Sequence, residues 1–487
     1  MKVCILEEDY GLSQAPYGEY NPPSSPEAYF ARYAWERYFL TRTNGVRQVM
    51  ELTRKGFDVV VNLCDGSWGG ESPGIEIVET LERLDVPFTG ATSAFYEPTR
   101  QQMKMVCAFF DIPTPPCRFV LNAEDVDAAA VSLRFPMIVK HPNSYSSIGL
   151  TAASRVTTPD ALREQARFMM EVYGGALIEE FIDGKEFTVL VAENPDDPQT
   201  PIVYRPVEFM FPEGETFKHF NLKWVDFARM GCRRCDDPDL IERLTSMSRR
   251  MFTGLNGASY GRCDIRMNTA GELYMLEINP NCGVFYPPED AGSADFILMN
   301  DPGGHAGFVD TILRAALSRH AKRRKKYEVR LHRDGHYGLF ATNDIPQGGV
   351  VFSFEDHPHT LTHRTGTTHL PGAQHGTWLD RNGFPITDDI WSLWTDDPND
   401  WRPVRHSCAP NAWWEGLSVV TRHPIKSGEE ITLDFATFCH ESMPAFSCAC
   451  GASDCRKIVR GTDLFEPFVE RYGAHITDYV GQRRQRV

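Results

Sequence analysis

The sequence of 487 residues lacks a long hydrophobic run and lacks an excess of positive charge. No apolar segment approaches the roughly 18 residues of a transmembrane helix, and residues 1–8 lack the basic start and apolar core of a signal peptide. Lys+Arg 50 against Asp+Glu 66 gives a net charge of -16, which disfavours nucleic acid and anionic membranes as partners. We therefore expect a cytoplasmic protein that makes no membrane contact.

Internal repeats and low-complexity segments are also absent. Hydrophobic residues make up 42% and charged residues 24%, which excludes a disordered, collagen-like or coiled-coil chain. Thirteen cysteines are an odd number spread over a long chain, so free thiols and a metal site are favoured over a disulfide framework. At the usual domain size of roughly 150 residues, the length predicts about three structural units.

The pattern along the chain changes once. Up to about residue 320, short apolar strands alternate with amphipathic helices, which indicates α/β architecture. A basic run at residues 320–326 follows, and beyond it come short strands, many turns and clustered His, Trp and Cys. We place a domain boundary at this run. We interpret the run itself as a solvated helix end, favoured by the helix dipole, rather than a nucleic-acid contact.

The densest polar signal lies on two apolar strands that flank a turn at residues 268–271. Asp264 lies on the first strand, and Glu277 and Asn279 lie two residues apart on the second, so all three can project to one side. Three oxygen donors at one place suit Mg²⁺ bound with a nucleotide. The polar face of an edge hairpin explains an acidic pair plus an Asn on apolar strands less well.

Two upstream segments fit a nucleotide. Residues 135–140 predict a strand ending in Lys140, followed at 143–149 by a serine-rich loop whose backbone N–H groups can approach a polyphosphate. Residues 176–187 predict a strand, a turn and a strand, with carboxylates beside an apolar slot. Such a slot can take a purine, with Glu186 reaching a ribose hydroxyl.

Together these segments resemble the ATP-grasp superfamily, and most nearly its D-alanine–D-alanine ligase-like members, over roughly residues 55–315. Residues 66–74 and 84–90 are similar to the N-terminal portion of such ligases. The resemblance implies an enzyme that activates a carboxylate as an acyl phosphate and lets an amine displace phosphate. It implies phosphate contacts from Lys104, Lys140 and Lys218, a phosphate loop with Ser146 and Ser147, nucleoside contacts from Glu179, Glu180, Phe181, Ile182 and Glu186, an oxyanion contact from Arg262, and Mg²⁺ at Asp264, Glu277 and Asn279.

The sequence departs from the pattern of these ligases after Asn279. A D-alanine ligase has a Pro-Gly-Met-Thr run there, whereas residues 280–290 read Pro-Asn-Cys-Gly-Val-Phe-Tyr-Pro-Pro-Glu-Asp. The resemblance therefore extends to the ATP-binding half and not to the substrate, and it disfavours D-alanine. Phe285 and Tyr286 either line a substrate pocket or belong to the core.

Three cysteines fall within eight residues in the last third, at Cys448, Cys450 and Cys455. A structural zinc needs four thiolate or imidazole ligands, and Cys408 is the best fourth candidate, with Cys439 as a substitute. We therefore expect a structural Zn²⁺ in this segment.

Residues 327–463 resemble a SET domain followed by a post-SET cysteine segment, on the motifs at 337–348, 405–411 and 425–435 and the cysteine cluster. The family transfers methyl groups from S-adenosylmethionine to lysine amines, which implies a cofactor pocket at Tyr337, Gly338, Arg405 and His406. His336 replaces a motif glycine, and Arg405 replaces the usual Asn. Phe435 occupies the position of the catalytic Tyr and offers no oxygen, so methyl transfer stays open.

The predicted architecture is an α/β ATP-grasp part followed by a mostly β SET-like domain with a zinc-bound tail. The expected parts are an N-terminal α/β subdomain, a nucleotide and Mg²⁺ region, the SET-like domain, the post-SET zinc segment and a helical tail, at residues 1–100, 101–320, 327–447, 448–463 and 464–487.

Three functions remain open for this architecture. The first is a ligase whose SET-like part binds substrate or S-adenosylmethionine, the second a bifunctional ligase and N-methyltransferase, and the third a protein-lysine methyltransferase with a non-catalytic ATP-grasp part. Expected partners are small-molecule or peptide carboxylates and amines, with a homodimer as a candidate assembly.

Overall fold

The computed structural model describes residues 1–9, 23–67, 70, 72–143, 147–197, 199–226, 230–323, 325–332, 335–353, 360–364, 383–393 and 401–486. The chain forms two compact units, Met1–Lys322 and Arg323–Val487. Within these described ranges the first unit contains three sheets, and the second contains short, mostly antiparallel strands.

The first sheet of the first unit is parallel. Its two central strands are buried on both faces, with Val3, Ile5 and Val61 inaccessible on one face and Cys4 and Leu6 1% exposed on the other, as a parallel sheet covered by helices requires. The strand order is β2-β1-β3-β4. The elements are β1 (Lys2–Glu8), α1 (Glu27–Phe30), β2 (Ala34–Leu40), α2 (Gly45–Leu52), β3 (Val59–Asn62), α3 (Ile75–Arg83) and β4 (Phe88–Thr89).

The second sheet is antiparallel, and helices α5 (Ala123–Ser132) and α6 (Pro159–Tyr173) pack on it. Helix α6 begins at the cap Thr158 with Pro159 and ends at Gly174 in the left-handed region. Helix α4 (Arg100–Phe109) begins at a capping box of Thr99 and Gln102 and packs into the core of the third sheet. The strand order is β5-β8-β6-β7. The elements are α4 (Arg100–Phe109), β5 (Cys117–Val120), α5 (Ala123–Ser132), β6 (Met137–Lys140), β7 (Arg155–Val156), α6 (Pro159–Tyr173) and β8 (Ala176–Glu180).

The third sheet has the order β12-β11-β9-β13-β14, with β10 paired to β9. Helix α8 (Pro238–Gly254) packs on it through Met247, Met251 and Phe252. The elements are β9 (Gly184–Ala192), β10 (Ile202–Val203), β11 (Val207–Met210), α7 (Phe220–Trp224), β12 (Gly231–Arg234), α8 (Pro238–Gly254), β13 (Tyr260–Asn268), β14 (Leu273–Pro280), α9 (Ser293–Met299) and α10 (Gly304–Arg323).

The hairpin of β13 and β14 sets the register of the polar residues. Arg262 lies opposite Asn279, and Asp264 lies opposite Glu277. The register shifts after Asp264, so that Ile265 pairs with Met275 and Leu276 is the extra residue of a bulge.

The second unit packs its strands around a core that includes Leu339, Trp414 and Ile431. Its sheets have the orders β15-β16-β24-β21, β17-β23-β22, β18-β20-β19 and β25-β26. The elements are β15 (Tyr327–Leu331), β16 (Tyr337–Ala341), β17 (Val350–Ser353), β18 (Thr360–His363), β19 (Phe384–Pro385), β20 (Ile390–Leu393), β21 (Arg405–His406), β22 (Ala412–Glu415), β23 (Ser418–Thr421), β24 (Glu430–Leu433), β25 (Phe446–Ser447), β26 (Ile458–Val459) and α11 (Asp478–Gln485), with 3-10 turns at Phe435–Thr437, Gly461–Phe465 and Pro467–Tyr472.

The predicted fold class is confirmed, with an α/β first unit and a mostly β second unit. The hairpin predicted around residues 268–271 is also present. Within the described ranges, no helix combines the length and apolar character that a membrane span requires.

Candidate functional sites

A deep cleft in the first unit lies between the second and third sheets. It is lined from β6 and β8 on one side and from β9, β13 and β14 on the other, with α4 contributing from its first turn. Most of the residues predicted to bind nucleotide and metal line it, namely Lys140, Ser147, Glu179, Glu180, Phe181, Ile182, Glu186, Lys218, Arg262, Asp264 and Glu277. Ser146 lies outside the described residues.

Glu179 holds two lysines together at one end of the cleft. Its Oε1 lies 2.5 Å from Lys104 Nζ and its Oε2 lies 2.7 Å from Lys140 Nζ. The carboxylate is 2% exposed, and although burial raises the pKa of Glu179, the two ammonium groups prevail and lower it below its usual value. The ammonium groups of the predicted phosphate ligands Lys104 and Lys140 therefore both contact the Glu179 carboxylate.

Glu186 is also buried and paired twice. Its Oε1 lies 2.9 Å from Lys218 Nζ, and its Oε2 lies 3.2 Å from Arg266 Nη1. The Arg266 guanidinium stacks over the Phe181 ring at 4.8 Å, which gives the apolar slot one aromatic wall. Arg266 was not among the predicted site residues, although it follows Arg262 and Asp264 at the alternating spacing of one strand face.

Two cross-strand pairs of the β13–β14 hairpin contain the predicted metal ligands and Arg262. These rungs are Arg262 with Asn279 and Asp264 with Glu277. Asp264 accepts from Arg262 Nη2 at 3.2 Å and from Asn279 Nδ2 at 3.1 Å. Burial raises the pKa of Asp264, but Arg262 and Lys218 outweigh that effect and lower it, so the carboxylate is ionised. The amide of Asn279 presents nitrogen to Asp264 here, so it would have to rotate to offer oxygen to a metal.

Glu277 forms an ion pair with Arg100, the first residue of α4. Arg100 lines the cleft and lies one helical turn before Lys104, which pairs with the cleft residue Glu179, so α4 places one cation in the cleft and a second one against its wall. Sequence reasoning missed Arg100, although its spacing to Lys104 was visible.

Lys223 also lines the cleft and was missed. Burial and the positive charges of Arg262 and Lys218 lower the pKa of Lys223 to about 8. The carboxylates of Glu277 and Asp264 raise it, but by less. It lies on α7, a five-residue helix with no pattern that points to a site.

Three further predicted residues of this half have other contacts. Glu180 accepts a hydrogen bond from Arg134 Nη2 at 2.8 Å, because it faces the side of β8 opposite to its neighbour Glu179. Ser147 Oγ donates to the Lys218 carbonyl at 3.2 Å. Phe285 belongs to the core, fully buried against Phe308.

The second unit has a wide cavity where the predicted cofactor residues meet. Tyr337, Arg405, His406 and Phe435 line it together. Gly338 lies beside it, and a Cβ added there would meet Glu430 Oε1 at 2.4 Å, so a larger residue would require the Glu430 side chain to move. The Nδ1 of His406 accepts a hydrogen bond from the Phe435 backbone N–H at 3.2 Å. Burial lowers the pKa of His406 to about 4, because the opposing effect of Asp434, which raises it, is smaller and Arg456 lowers it further.

Asp434 joins this cavity to the tail of the unit. It accepts from Arg456 Nη2 at 2.7 Å and Nη1 at 3.0 Å, and from Tyr472 Oη at 2.7 Å. Its side chain is fully buried. Neither Arg456 nor Tyr472 was predicted, because both lie well beyond the motif in sequence.

Four thiols meet beside this junction. The sulfurs of Cys408, Cys448, Cys450 and Cys455 all lie within 4.8 Å of one another. In a tetrahedral zinc site with Zn–S bonds of about 2.3 Å the sulfurs also lie this close to one another, so the four thiols fit such a site. Backbone N–H donors outweigh burial and lower the pKa of Cys450 to about 6. Cys439, the substitute ligand, is not in this group.

Comparison with known families follows the two units. Residues 107–285 match the family model D-ala D-ala ligase C-terminus, and residues 336–436 match the SET domain model. The chain therefore joins an ATP-grasp domain of the D-alanine–D-alanine ligase type to a SET domain, and both predicted resemblances are confirmed.

Relatives of the first domain are ligases. The D-alanine–D-alanine ligase of Cupriavidus necator is 28% identical over 242 residues, covering 49% of this chain and 71% of that protein. The D-alanine–D-alanine ligase of Haemophilus influenzae is 28% identical over 243 residues, covering 48% of this chain and 77% of that protein. The structure of the Bacillus anthracis D-alanine–D-alanine ligase complexed with ATP aligns with 66% of this chain and 99% of its own, at 18% identity and a TM-score of 0.49.

We predict that Asp434→Asn destabilises the protein by about 3 kcal/mol, because it leaves the half-buried Arg456 without its main counter-charge. Urea unfolding of the full chain measures the change. Asp454→Asn is the matched control, since Asp454 is 51% exposed and pairs with Arg471 at the surface, where the loss stays under about 1 kcal/mol. Equal midpoints for the two variants would contradict the junction role of Asp434.

Proposed function

We propose that the chain is an ATP-dependent carboxylate–amine ligase that forms ADP and phosphate through an acyl phosphate. The observation that carries the proposal is the two cross-strand pairs Arg262/Asn279 and Asp264/Glu277, beside a cleft lined by Lys140, Lys218 and Lys223. The match to the ligase C-terminal family model over residues 107–285 supports it.

In this proposal the cations of the cleft hold the phosphates. Lys104, Lys140 and Lys218 lie now against Glu179 and Glu186 and would exchange these carboxylates for phosphate oxygens, a swap of one anion for another. Ser146 and Ser147 would cover the phosphates from the loop. The backbone of Phe181 and Ile182 and the carboxylate of Glu179 would meet adenine, and Glu186 would meet the ribose.

The residues present fit Mg²⁺, because Asp264, Glu277 and Asn279 bring two carboxylates and an amide to adjacent rungs. A bound Mg²⁺ would neutralise phosphate charge. Arg100 and Arg262 balance these carboxylates in this structure.

Arg262 is suited to stabilise the oxyanion of the tetrahedral intermediate. It is 12% exposed, and its guanidinium is held on one side by Asp264, which fixes its position before the substrate arrives. The substrate carboxylate would attack the terminal phosphorus of ATP, and the acyl carbon would then lie beside Arg262. Because residues 280–290 differ from the D-alanine ligase run, we propose a carboxylate and an amine other than D-alanine.

Glu277→Ala should lower ADP formation by about 100-fold or more, since it deletes a metal carboxylate worth several kcal/mol of charge stabilisation. ADP release from the purified chain is measured against a panel of amino acids, with and without S-adenosylmethionine. The control is Glu272→Ala, an exposed carboxylate in the turn of the same hairpin. Undiminished ADP formation in Glu277→Ala, or AMP as the product, would refute the acyl phosphate route.

We further propose one structural Zn²⁺ per chain at Cys408, Cys448, Cys450 and Cys455. Cys450→Ser should remove the metal and loosen residues 440–463, because binding of a structural zinc contributes directly to folding free energy. Metal analysis and limited proteolysis measure both effects. Cys439→Ser is the control and should keep its zinc. Wild-type protein purified without chelator that carries no zinc would rule this out.

The SET domain match and the shared cavity of Tyr337, Arg405 and His406 support S-adenosylmethionine as its ligand. Phe435 lies in this cavity, so we propose that the cofactor binds while methyl transfer is slow for want of a hydroxyl. Transfer by the wild type to the ligase product or to a lysine amine would support the bifunctional alternative.

Phe435→Tyr should raise methyl transfer to a lysine-like amine, because it supplies the missing hydroxyl. Phe438→Tyr, which adds a hydroxyl elsewhere in the cavity, should not. Calorimetric titration with S-adenosylmethionine measures binding, and radiolabelled methyl transfer measures the rate. Absence of binding would leave the SET domain as a scaffold.

A further inference from the structure

The segment that follows the β13–β14 hairpin, residues 281–293, ends at the cleft. Its last residue, Ser293, lines the cleft together with Arg262 and Glu277. The match to the ligase family model ends within this segment, at residue 285. The proposed binding of nucleotide and metal uses none of its residues, so its conformation needs a separate explanation.

The backbone of Phe285 is strained. Its φ is +68°, in the left-handed region that a bulky residue rarely adopts. Its N–H donates to Asp295 Oδ1 at 2.9 Å, and its carbonyl accepts from the Ser25 N–H at 2.5 Å. The buried ring lies 5.6 Å from the ring of Phe30 and 6.0 Å from that of Phe308. Such a conformation persists only where the surroundings fix it, and strained residues are concentrated at functional sites.

One buried carboxylate holds both ends of the loop that begins at Phe285. Asp295 is 1% exposed, and besides the Phe285 N–H it accepts from the Gly292 N–H, through Oδ2 at 3.0 Å. These two bonds close residues 285–292 into a loop. They also fix the start of α9, whose first residue is Ser293.

His305, from α10, is the partner of this carboxylate. Its Nε2 donates to Asp295 Oδ1 at 2.8 Å, and its ring stacks on that of Tyr29 with centroids 4.4 Å apart and planes at 15°. His305 is 8% exposed, so water has little access to the pair. A buried carboxylate is costly without donors, and His305 therefore helps to keep Asp295 in place between its two backbone partners.

The closed loop also determines where Tyr286 lies. A Cβ added at Gly283 would meet Tyr286 Oη at 2.4 Å, and one added at Gly292 would meet its Cδ2 at 3.0 Å. The ring thus folds back over two glycines, one on each side of it in sequence. Because Gly292 is bonded to Asp295, the places of Tyr286 and Ser293 depend on the same carboxylate.

We propose that Asp295 is a positioning residue for substrate selection by the ligase: with His305 it holds the 285–293 loop in the conformation that brings Ser293 into the cleft. The inference rests on the proposed ligase function and extends it to residues that touch neither nucleotide nor metal ligands. The loop then governs the KM for the carboxylate and amine substrates. The KM for ATP depends on other elements, because the predicted nucleotide residues lie on β6, β8 and β9 and in the turns beside them.

The experiment separates the two kinds of substrate in the full-length chain. ADP release is measured with ATP and the amino acid that gives the wild type its highest rate, each varied in turn. Asp295→Asn replaces one acceptor oxygen by an N–H donor, which opposes one of the two backbone N–H groups. We expect it to raise the KM for the amino acid by about tenfold or more and to change the KM for ATP by less than about twofold.

The matched control is Asp290→Asn, since Asp290 is exposed in the same loop, and it should match the wild type. Two variants of His305 test the same role with the carboxylate intact, and they also serve where Asp295→Asn does not fold. His305→Ala removes the donor to Asp295 and should raise the amino-acid KM. His305→Gln keeps a side-chain N–H donor and should restore it, at least in part.

An unchanged amino-acid KM in both Asp295→Asn and His305→Ala would overturn the assignment. An equal rise in the KM for ATP would also overturn it, because general loosening of the unit affects both substrates. A wild type that turns over no ATP with any amino acid overturns the ligase function itself, an outcome distinct from a defect confined to the variants.

Discussion

Pairing of buried opposite charges is the interaction on which the first unit depends. Glu179, Glu186, Asp264 and Glu277 all face one cleft, and each has a Lys or Arg partner. Taking a carboxylate out of water costs several kcal/mol, so none of them could occupy this place alone. The pairs also tie the elements of the cleft together, since Lys104 comes from α4, Lys140 from β6 and Glu179 from β8.

The same constraint recurs in the second unit. Asp434 follows β24, yet its partners Arg456 and Tyr472 come from the segment after the cysteine cluster. Cys408 belongs to the loop after β21 and reaches the same cluster. The Asp434 carboxylate and the cluster of four thiols thus hold the tail against the wall of the cavity. Hydrophobic burial alone would leave these short strands weakly held.

Local periodicity revealed the hairpin residues but not those that depend on tertiary placement. Alternation along β13 and β14 predicted that Asp264, Glu277 and Asn279 share a face, and the same rule extends to Arg266. Lys223 carries no such signal, because the short helix α7 reaches the cleft only through the packing of other elements. Phe285, left open between core and pocket, is core because Phe30 and Phe308 enclose it.

The bulge at Leu276 places neighbouring residues on one face. Leu276 and Glu277 both line the cleft, which an unbroken strand would not allow. The hairpin therefore has two zones with different tolerance to insertions and deletions. Residues can be added at the turn near Gly271 without moving Glu277, whereas one residue inserted between Glu277 and Asn279 would turn Asn279 to the face opposite Glu277.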